Sequence, residues 1–156
     1  MKRQFYCLTV LALIAVNACK KTDTTTTVNA NIVGTWKLDK VTPSKLTGVY
    51  ANLNNQSFDA VSYFGFSSVY VLNADNSFTD KETDNGVTTD YSGTFSLSGT
   101  TLALKYKDNS VETFSYDEAN KKMTFNDTGT TLTFTNPNTK KEEDVVCDAI
   151  YTYLKQ

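Results

Sequence analysis

The chain divides into two parts that differ in their pattern of apolar and polar positions. From Ile32 onward the two kinds of side chain alternate with a period of two, which is typical of strands with one buried face. Before that point, a nearly continuous apolar run covers residues 5–16 and a Thr-rich polar stretch covers residues 20–31. The pattern therefore predicts a short N-terminal segment, a flexible tether and one all-β domain.

The alternating part is broken into short strands by turn residues such as those of Asp84-Asn85-Gly86. Pro43 is expected to end the first strand, and residues 140–144 are expected to form a charged loop. The segment 44–65 has no regular period, and residues 58–64 fit either a short helix or a strand. The predicted strands cover residues 32–42, 67–72, 77–83, 87–97, 101–107, 111–116, 122–126, 131–135 and 145–154.

The spacing of these strands predicts the fold class. Turn signals that recur roughly every 8–12 residues are typical of an antiparallel sandwich or barrel. The strands are short and similar in length, which favours an up-and-down barrel of about eight to nine strands, and closure would leave no exposed sheet edge. We therefore predict an all-β, antiparallel up-and-down barrel over residues 32–156.

The N-terminal segment has the features of a signal peptide. Lys2 and Arg3 precede the apolar run, and no acidic residue occurs before Asp23. The run is shorter than the roughly 20 residues that a spanning helix needs, but it fits the apolar core of a signal peptide. We therefore expect residues 1–18 to be removed, and Cys7 with them.

The residues Val16-Asn17-Ala18-Cys19 resemble the lipobox of bacterial lipoproteins. The resemblance implies cleavage before Cys19 and attachment of acyl chains, such as palmitate, to that cysteine. Two or more acyl chains anchor a protein stably, so residues 19–31 would tether the domain to a membrane of the cell envelope. The outer membrane is the expected location, on its periplasmic or its exposed face. The alternative is an ordinary secretory signal with an incidental cysteine.

The composition argues against several functions. The net charge is −2, and removal of residues 1–18 leaves 13 basic against 17 acidic residues, which does not suit nucleic acid. The chain has no histidine, the commonest general base and metal ligand. Cys147 is the only cysteine after Cys19, and the apolar pattern predicts that it is a buried, inert thiol. We predict no enzyme activity, no cofactor and no metal site.

Gly34-Thr35-Trp36 resembles the Gly-x-Trp motif that opens the first strand of lipocalins and related barrels, and residues 75–78 and 93–102 resemble the turns and hairpin of bacterial lipocalin-like domains. The resemblance implies that Gly34 bends the chain into the barrel floor and that Trp36 closes this floor beneath a ligand cavity. Lipocalins usually stack a late arginine on this tryptophan. Arg3 is the only arginine here, so a lysine such as Lys155 could substitute only in part.

The strand periods predict a set of inward-facing aromatic residues that line a pocket or fill the core. The core is the favoured interpretation for most of them, and the tyrosines are the better pocket candidates because a buried hydroxyl needs a polar partner. One hypothesis is a lipoprotein that binds a small apolar or amphipathic ligand. The alternative is an accessory module with a filled barrel, which would contact an envelope protein through its surface and loops. The candidate residues are Trp36, Phe78, Tyr91, Phe95, Tyr106, Phe125, Tyr151 and Tyr153.

The spacing of Asp80, Glu82 and Asp84 is close to that of a calcium loop, but the glycine falls one position late and Tyr91 stands at the twelfth position. We therefore expect these acids to form the solvated face of an edge hairpin. Residues 142–144 are similarly expected to lie in a surface turn. No pair of carboxylates stands out as a hydrolase site.

Overall fold

The computed structural model describes residues 30–156. The predicted signal peptide, the lipidation of Cys19 and nearly all of the tether lie outside the described residues. Among residues 30–156, no helix is both long enough and apolar enough to cross a membrane.

The chain forms a closed antiparallel barrel with short helices on one connection. Strand β1 (Gly34–Ser44) is followed by a two-turn 3-10 helix (Gly48–Leu53), by the two-residue strand β2 (Phe58–Asp59) and by helix α1 (Ala60–Phe64). The strands are β1 (Gly34–Ser44), β2 (Phe58–Asp59), β3 (Phe66–Leu72), β4 (Ser77–Asp84), β5 (Val87–Ser98), β6 (Thr101–Tyr106), β7 (Val111–Asp117), β8 (Lys122–Thr135) and β9 (Glu142–Lys155).

Eight of these strands make the barrel, because β1 pairs with β3, each strand from β3 to β8 pairs with the next, and β9 returns to pair with β1. Strand β2 adds a short ninth strand beside β1. The all-β, up-and-down barrel predicted from the strand pattern is therefore confirmed.

One end of the barrel, here called the floor, is closed around Trp36. The indole is fully buried, and its Nε1 donates a hydrogen bond of 2.8 Å to the carbonyl of Ile32. Above the ring lies the Lys155 ammonium, 5.8 Å from the ring centroid, which donates a 2.6 Å hydrogen bond to the carbonyl of Asn31. Gly34 has a φ of +138°, and a Cβ there would stand 2.9 Å from Lys155 Cε. The glycine thus makes room for the lysine over the indole.

The lower barrel is filled by side chains from alternate positions of the strands. Burying a side chain of this size contributes about 1.5–3 kcal/mol, so this layer supplies much of the stability. Strand β5 bends closely against β6 at Gly93, where a Cβ would lie only 2.0 Å from the carbonyl oxygen of Lys105. The side chains buried in this layer include Leu72, Phe78, Phe95, Leu102, Leu104, Phe114 and Met123.

Several strand boundaries differ from the predicted ones, and the segment 58–64, which the sequence left open, has a defined structure. Strand β1 continues through Pro43, which pairs with Ala149; a proline is tolerated there because it stands near the end of the strand. Residues 122–126 and 131–135 belong to one strand, β8, which a bulge between Asp127 and Thr130 bends without breaking. Residues 58–64, which fit either a strand or a short helix, form both, since the short strand β2 is followed at once by helix α1.

Strand β9 begins at Glu142, so the prediction of a surface turn over residues 142–144 is wrong. Glu143 is held in the sheet by hydrogen bonds that it accepts from Tyr50 Oη and Asn136 Nδ2, each 2.8 Å long. These hydrogen bonds lower the pKa of the Glu143 carboxyl. A charged sequence here extends the strand because its side chains have polar partners.

Candidate functional site

The barrel has two unlike ends. The described chain enters at the floor and β1 runs away from it, so the opposite end carries the segment 45–65. Because the sheet is antiparallel, the turns after β4, β6 and β8 lie at that same end. We call it the mouth.

A cavity of about 170 Å³ opens inside the barrel towards the mouth. Aromatic rings of Phe66, Phe125 and Tyr151 form part of its wall, and Tyr70 and Tyr153 are buried beside it. The carboxylates of Glu82, Glu112 and Asp127 also line it. The cavity therefore combines apolar faces with acidic groups.

A second cavity, of about 210 Å³, adjoins the first and shares Phe66 and Tyr151 with it. Its wall also includes Phe64 of α1 and Asn85 of the β4–β5 turn. The second cavity thus lies between α1 and the inner cavity. Each is smaller than the 300 Å³ or more that is usual for drug-sized ligands, so the site suits a smaller molecule.

Asp80 is buried on the inner face of β4, with 1% of its surface exposed. Ser68 Oγ donates a 3.0 Å hydrogen bond to Asp80 Oδ1, whereas Oδ2 has no hydrogen-bond partner within residues 30–156. Burial, and next the charge of Glu82, raise the pKa of the Asp80 carboxyl to about 7; the hydrogen bond from Ser68 opposes this shift, as Tyr70 does more weakly. A buried carboxyl with one unsatisfied oxygen is costly for the fold.

Glu112 is the centre of a hydrogen-bond network with two tyrosines. Tyr106 Oη donates a 2.6 Å hydrogen bond to Glu112 Oε2, and Tyr70 Oη donates to the same oxygen over 3.2 Å. The two hydroxyl oxygens are 3.1 Å apart. Burial is the first cause that raises the pKa of both phenols. The network fixes the Glu112 carboxylate on the cavity wall.

Glu82 stands one inward position closer to the mouth than Asp80. Its side chain is half-buried, and burial followed by the charges of Glu112 and Asp84 raises the pKa of the Glu82 carboxyl. Neighbouring negative charges thus add to burial in disfavouring the ionised forms of Asp80 and Glu82.

The predicted site residues separate into three groups by position. Trp36, Phe78 and Phe95 are buried in the lower barrel. Phe125, Tyr151 and Tyr153 line the inner cavity, and Tyr106 joins its hydrogen-bond network. Tyr91 is 42% exposed and packs edge-on against Tyr106 with ring centroids 6.1 Å apart, so it is a rim residue and not part of the core.

The expectation that Asp80 and Glu82 lie on a solvated hairpin face is wrong. Strand β4 places Phe78, Asp80 and Glu82 at successive inward positions, because side chains two residues apart share a face. Glu112 was missed for the same reason, since it lies two residues before the buried Phe114 and shares its inward face. The sequence signal that could have identified these residues is an acidic residue two positions from a large aromatic residue on the same strand, because both side chains then lie on the same face.

Two further observations bear on the chemistry of the site. Cys147 is 3% exposed, and burial raises the pKa of its thiol, as expected for an inert packing residue. Within residues 30–156, no group of three or more Cys, Asp or Glu side chains is placed to hold a metal ion.

A closed up-and-down barrel with its cavity at one end is the architecture of lipocalin-type proteins. The family model of the lipocalin-like domain matches residues 32–119, and the chain belongs to this family. The matched region runs from the floor through β7.

Comparison with individual proteins adds little to this assignment. No curated protein matches the sequence. Among solved structures, the chain is similar to the crystal structure of the Cpx pathway activator NlpE from Escherichia coli, with 12% identity, a TM-score of 0.31 and 69% of each chain covered.

Proposed function

We propose that this protein is a lipid-anchored protein of the cell envelope that binds a small amphipathic ligand in the mouth of its barrel. The observation that carries the proposal is the inner cavity, where aromatic rings and carboxylates meet at the open end of an otherwise filled barrel. A cavity that sets carboxylates beside aromatic rings can orient a small molecule that has one polar and one apolar part.

The anchoring half of the proposal rests on the sequence before the described residues. The signal-like segment and the lipobox-like residues Val16 to Cys19 support it. The place where the N-terminal segment joins the barrel is compatible with lipid anchoring, because residue 30 lies at the floor and the mouth is at the opposite end of the barrel. A tether leading to the floor would join the barrel at the end opposite the mouth and would leave the cavity unobstructed.

A second candidate function is an accessory module that contacts another envelope protein. One observation favours it: the connection before β3 carries side chains that are large, apolar and exposed, among them Val61 (52%) and Tyr63 (43%). Tyr63 stacks on Phe58 with ring centroids 4.4 Å apart, so the aromatic surface at this rim is ordered by its own contacts. Such a surface could be buried in a complex.

Native mass spectrometry of the full-length protein, purified after exposure to envelope extract, separates the two candidates. The ligand proposal expects a small molecule that stays bound to the wild type and is lost from Tyr151→Trp, whose larger ring would fill the cavity. Tyr63→Trp, at the rim, is the control and should retain the molecule. Recovery of a protein partner with no small molecule would favour the accessory module and contradict ligand binding.

A further inference from the structure

We propose that the barrel mouth selects an organic cation, an ammonium group on a short apolar body, and places that group beside Glu82 and Glu112, next to the buried Asp80. This inference rests on the proposed function and narrows it to one class of ligand. The apolar body would lie against the rings of Phe66, Phe125 and Tyr151, which line the same cavity.

The charged side chains in the cavity wall are all acidic. Glu82, Glu112 and Asp127 contribute carboxylates to the lining, and the lining residues described for this cavity include no lysine or arginine. The lysines of the neighbouring strands point outward, since Lys81 and Lys105 alternate with the inward residues of β4 and β6. A cation entering the mouth would therefore meet uncompensated negative charge in a partly desolvated site, where Coulomb attraction is stronger than in water.

Asp80 gives independent support, because an acidic cluster alone can be a solvated surface. Asp80 is only 1% exposed, and its Oδ2 accepts no hydrogen bond from residues 30–156. It lies between Phe78 and Glu82 on the inner face of β4, and the charges of Glu82 and Glu112 act on it. An ammonium group has three donors and no acceptor, so beside Glu82 and Glu112 it can donate to their carboxylates and offset the charge of the neighbouring Asp80.

The neighbouring groups explain why the ligand should be an organic cation and not a bare metal ion. The aromatic faces of Phe125 and Tyr151 attract a positive charge through their ring quadrupoles. Glu112 Oε2 already accepts hydrogen bonds from Tyr70 and Tyr106, which holds that carboxylate against the wall. The cavity of about 170 Å³ has room for a ring or a short chain beside the charged group.

Binding should depend on pH through Asp80. The groups that face it are Glu82 on its own strand, Ser68 and Tyr70 on β3, Tyr106 on β6, Glu112 on β7 and Tyr153 on β9. With a pKa of about 7, the Asp80 carboxyl is mostly neutral at pH 6 and mostly ionised at pH 8. A bound cation favours the ionised form, so binding near pH 7 should release a proton to the buffer. Affinity should rise about tenfold between roughly pH 6 and pH 8.

The test is calorimetric titration of the full-length protein with three probes that share one apolar body: 2-phenylethylammonium, 2-phenylethanol and phenylacetate. We expect the ammonium to bind roughly tenfold or more tightly than the other two. Asp80→Asn and Glu112→Gln should each weaken ammonium binding by roughly tenfold or more while leaving any binding of the alcohol unchanged. Asp90→Asn, which removes an exposed carboxylate from the outer face of β5, should bind as the wild type does.

The possible results separate the claim that the mouth selects a cation from the broader claim that it binds a ligand. Equal or tighter binding of the alcohol or the carboxylate would overturn the cation inference and leave ligand binding in place. Wild-type affinity in both Asp80→Asn and Glu112→Gln would also overturn it, as would complete displacement of the ammonium by Ca²⁺ or Mg²⁺ at equal concentration. Failure of all three probes to bind would contradict both the inference and the proposed function.

Discussion

The Lys155 ammonium lies 5.8 Å from the centroid of the Trp36 ring, at the floor of the barrel, and donates a hydrogen bond to the Asn31 carbonyl. Lys155 is thus the late basic residue that lies over the tryptophan in this barrel. The lysine ties the last strand to the segment before β1, and thereby closes the floor over the buried indole.

Replacing Lys155 by alanine should therefore weaken the floor. We expect a loss of about 1 kcal/mol in the free energy of unfolding, since a cation over an aromatic ring contributes about 0.5–1 kcal/mol at an exposed site. Lys155→Arg should retain the stability, because a guanidinium also stacks on an indole. Trp36 is the only tryptophan, so its fluorescence during urea unfolding reports the change directly. Lys37→Ala, on the exposed face of β1, is the matched control; an equal loss in this variant would contradict the role of Lys155.

Gly93 should be the glycine that least tolerates a side chain. A Cβ there would stand 2.0 Å from the Lys105 carbonyl oxygen and 2.8 Å from Phe78 Cε1, so β5 and β6 would have to separate. We expect Gly93→Ala to cost about 3 kcal/mol or more, as overpacking does in a well-packed core. Gly99→Ala meets no atom within 4 Å and should cost only about 1 kcal/mol for its positive φ. Equal losses in urea unfolding of the two variants would contradict the close approach of the strands.

Much of the fold could be predicted from the sequence, because period-two alternation identifies strands wherever one face is buried. The strand pattern and the Gly34–Trp36 motif led to the barrel and its floor. Boundaries failed where tertiary pairing overrides local signals: Pro43 stays within β1 because β9 continues beside it, and Gly129 bends β8 without ending it.

The candidate site was less predictable. The aromatic candidates Phe125, Tyr151 and Tyr153 were found, because large apolar residues in phase with a strand mark its inner face. Asp80 and Glu112 were not identified, because a charged residue on a strand is usually exposed to solvent. The local sequence also does not show which side chains of distant strands face each other across the barrel. Only the closed sheet brings Asp80, Glu112 and Tyr70 together.

The stability of the protein should fall as the pH rises through the range in which Asp80 ionises. The unfolded carboxyl titrates near its ordinary value of 3.8 and the folded one near 7, so between these values the folded state binds more protons. The free energy of unfolding therefore decreases as the pH rises from about 4 to about 7, by up to about 1.4 kcal/mol per pH unit. Asp80→Asn should remove this loss and be more stable than the wild type at pH 8. Urea unfolding at a series of pH values would contradict the account if the two profiles ran parallel.

Cys19→Ala should release the protein from the membrane. If Cys19 carries the acyl chains, the variant loses both radiolabelled palmitate and sedimentation with membranes, because no other anchor is proposed. Cys147→Ala, in the buried core, is the matched control and should label as the wild type does. Unchanged labelling and fractionation of Cys19→Ala would refute the lipoprotein assignment and would leave the barrel site unaffected.

The central claim is that a ligand occupies the barrel mouth, and nuclear Overhauser contacts between a bound ligand and the aromatic rings test it most directly. The full-length protein, labelled in Phe and Tyr, would be measured with 2-phenylethylammonium or 2-phenylethanol, whichever binds more tightly. The account predicts contacts from the ligand to Phe125 and Tyr151 on the cavity wall and none to Tyr63 on the outer rim. Contacts confined to the rim, or no contact to the cavity rings at saturation, would contradict it.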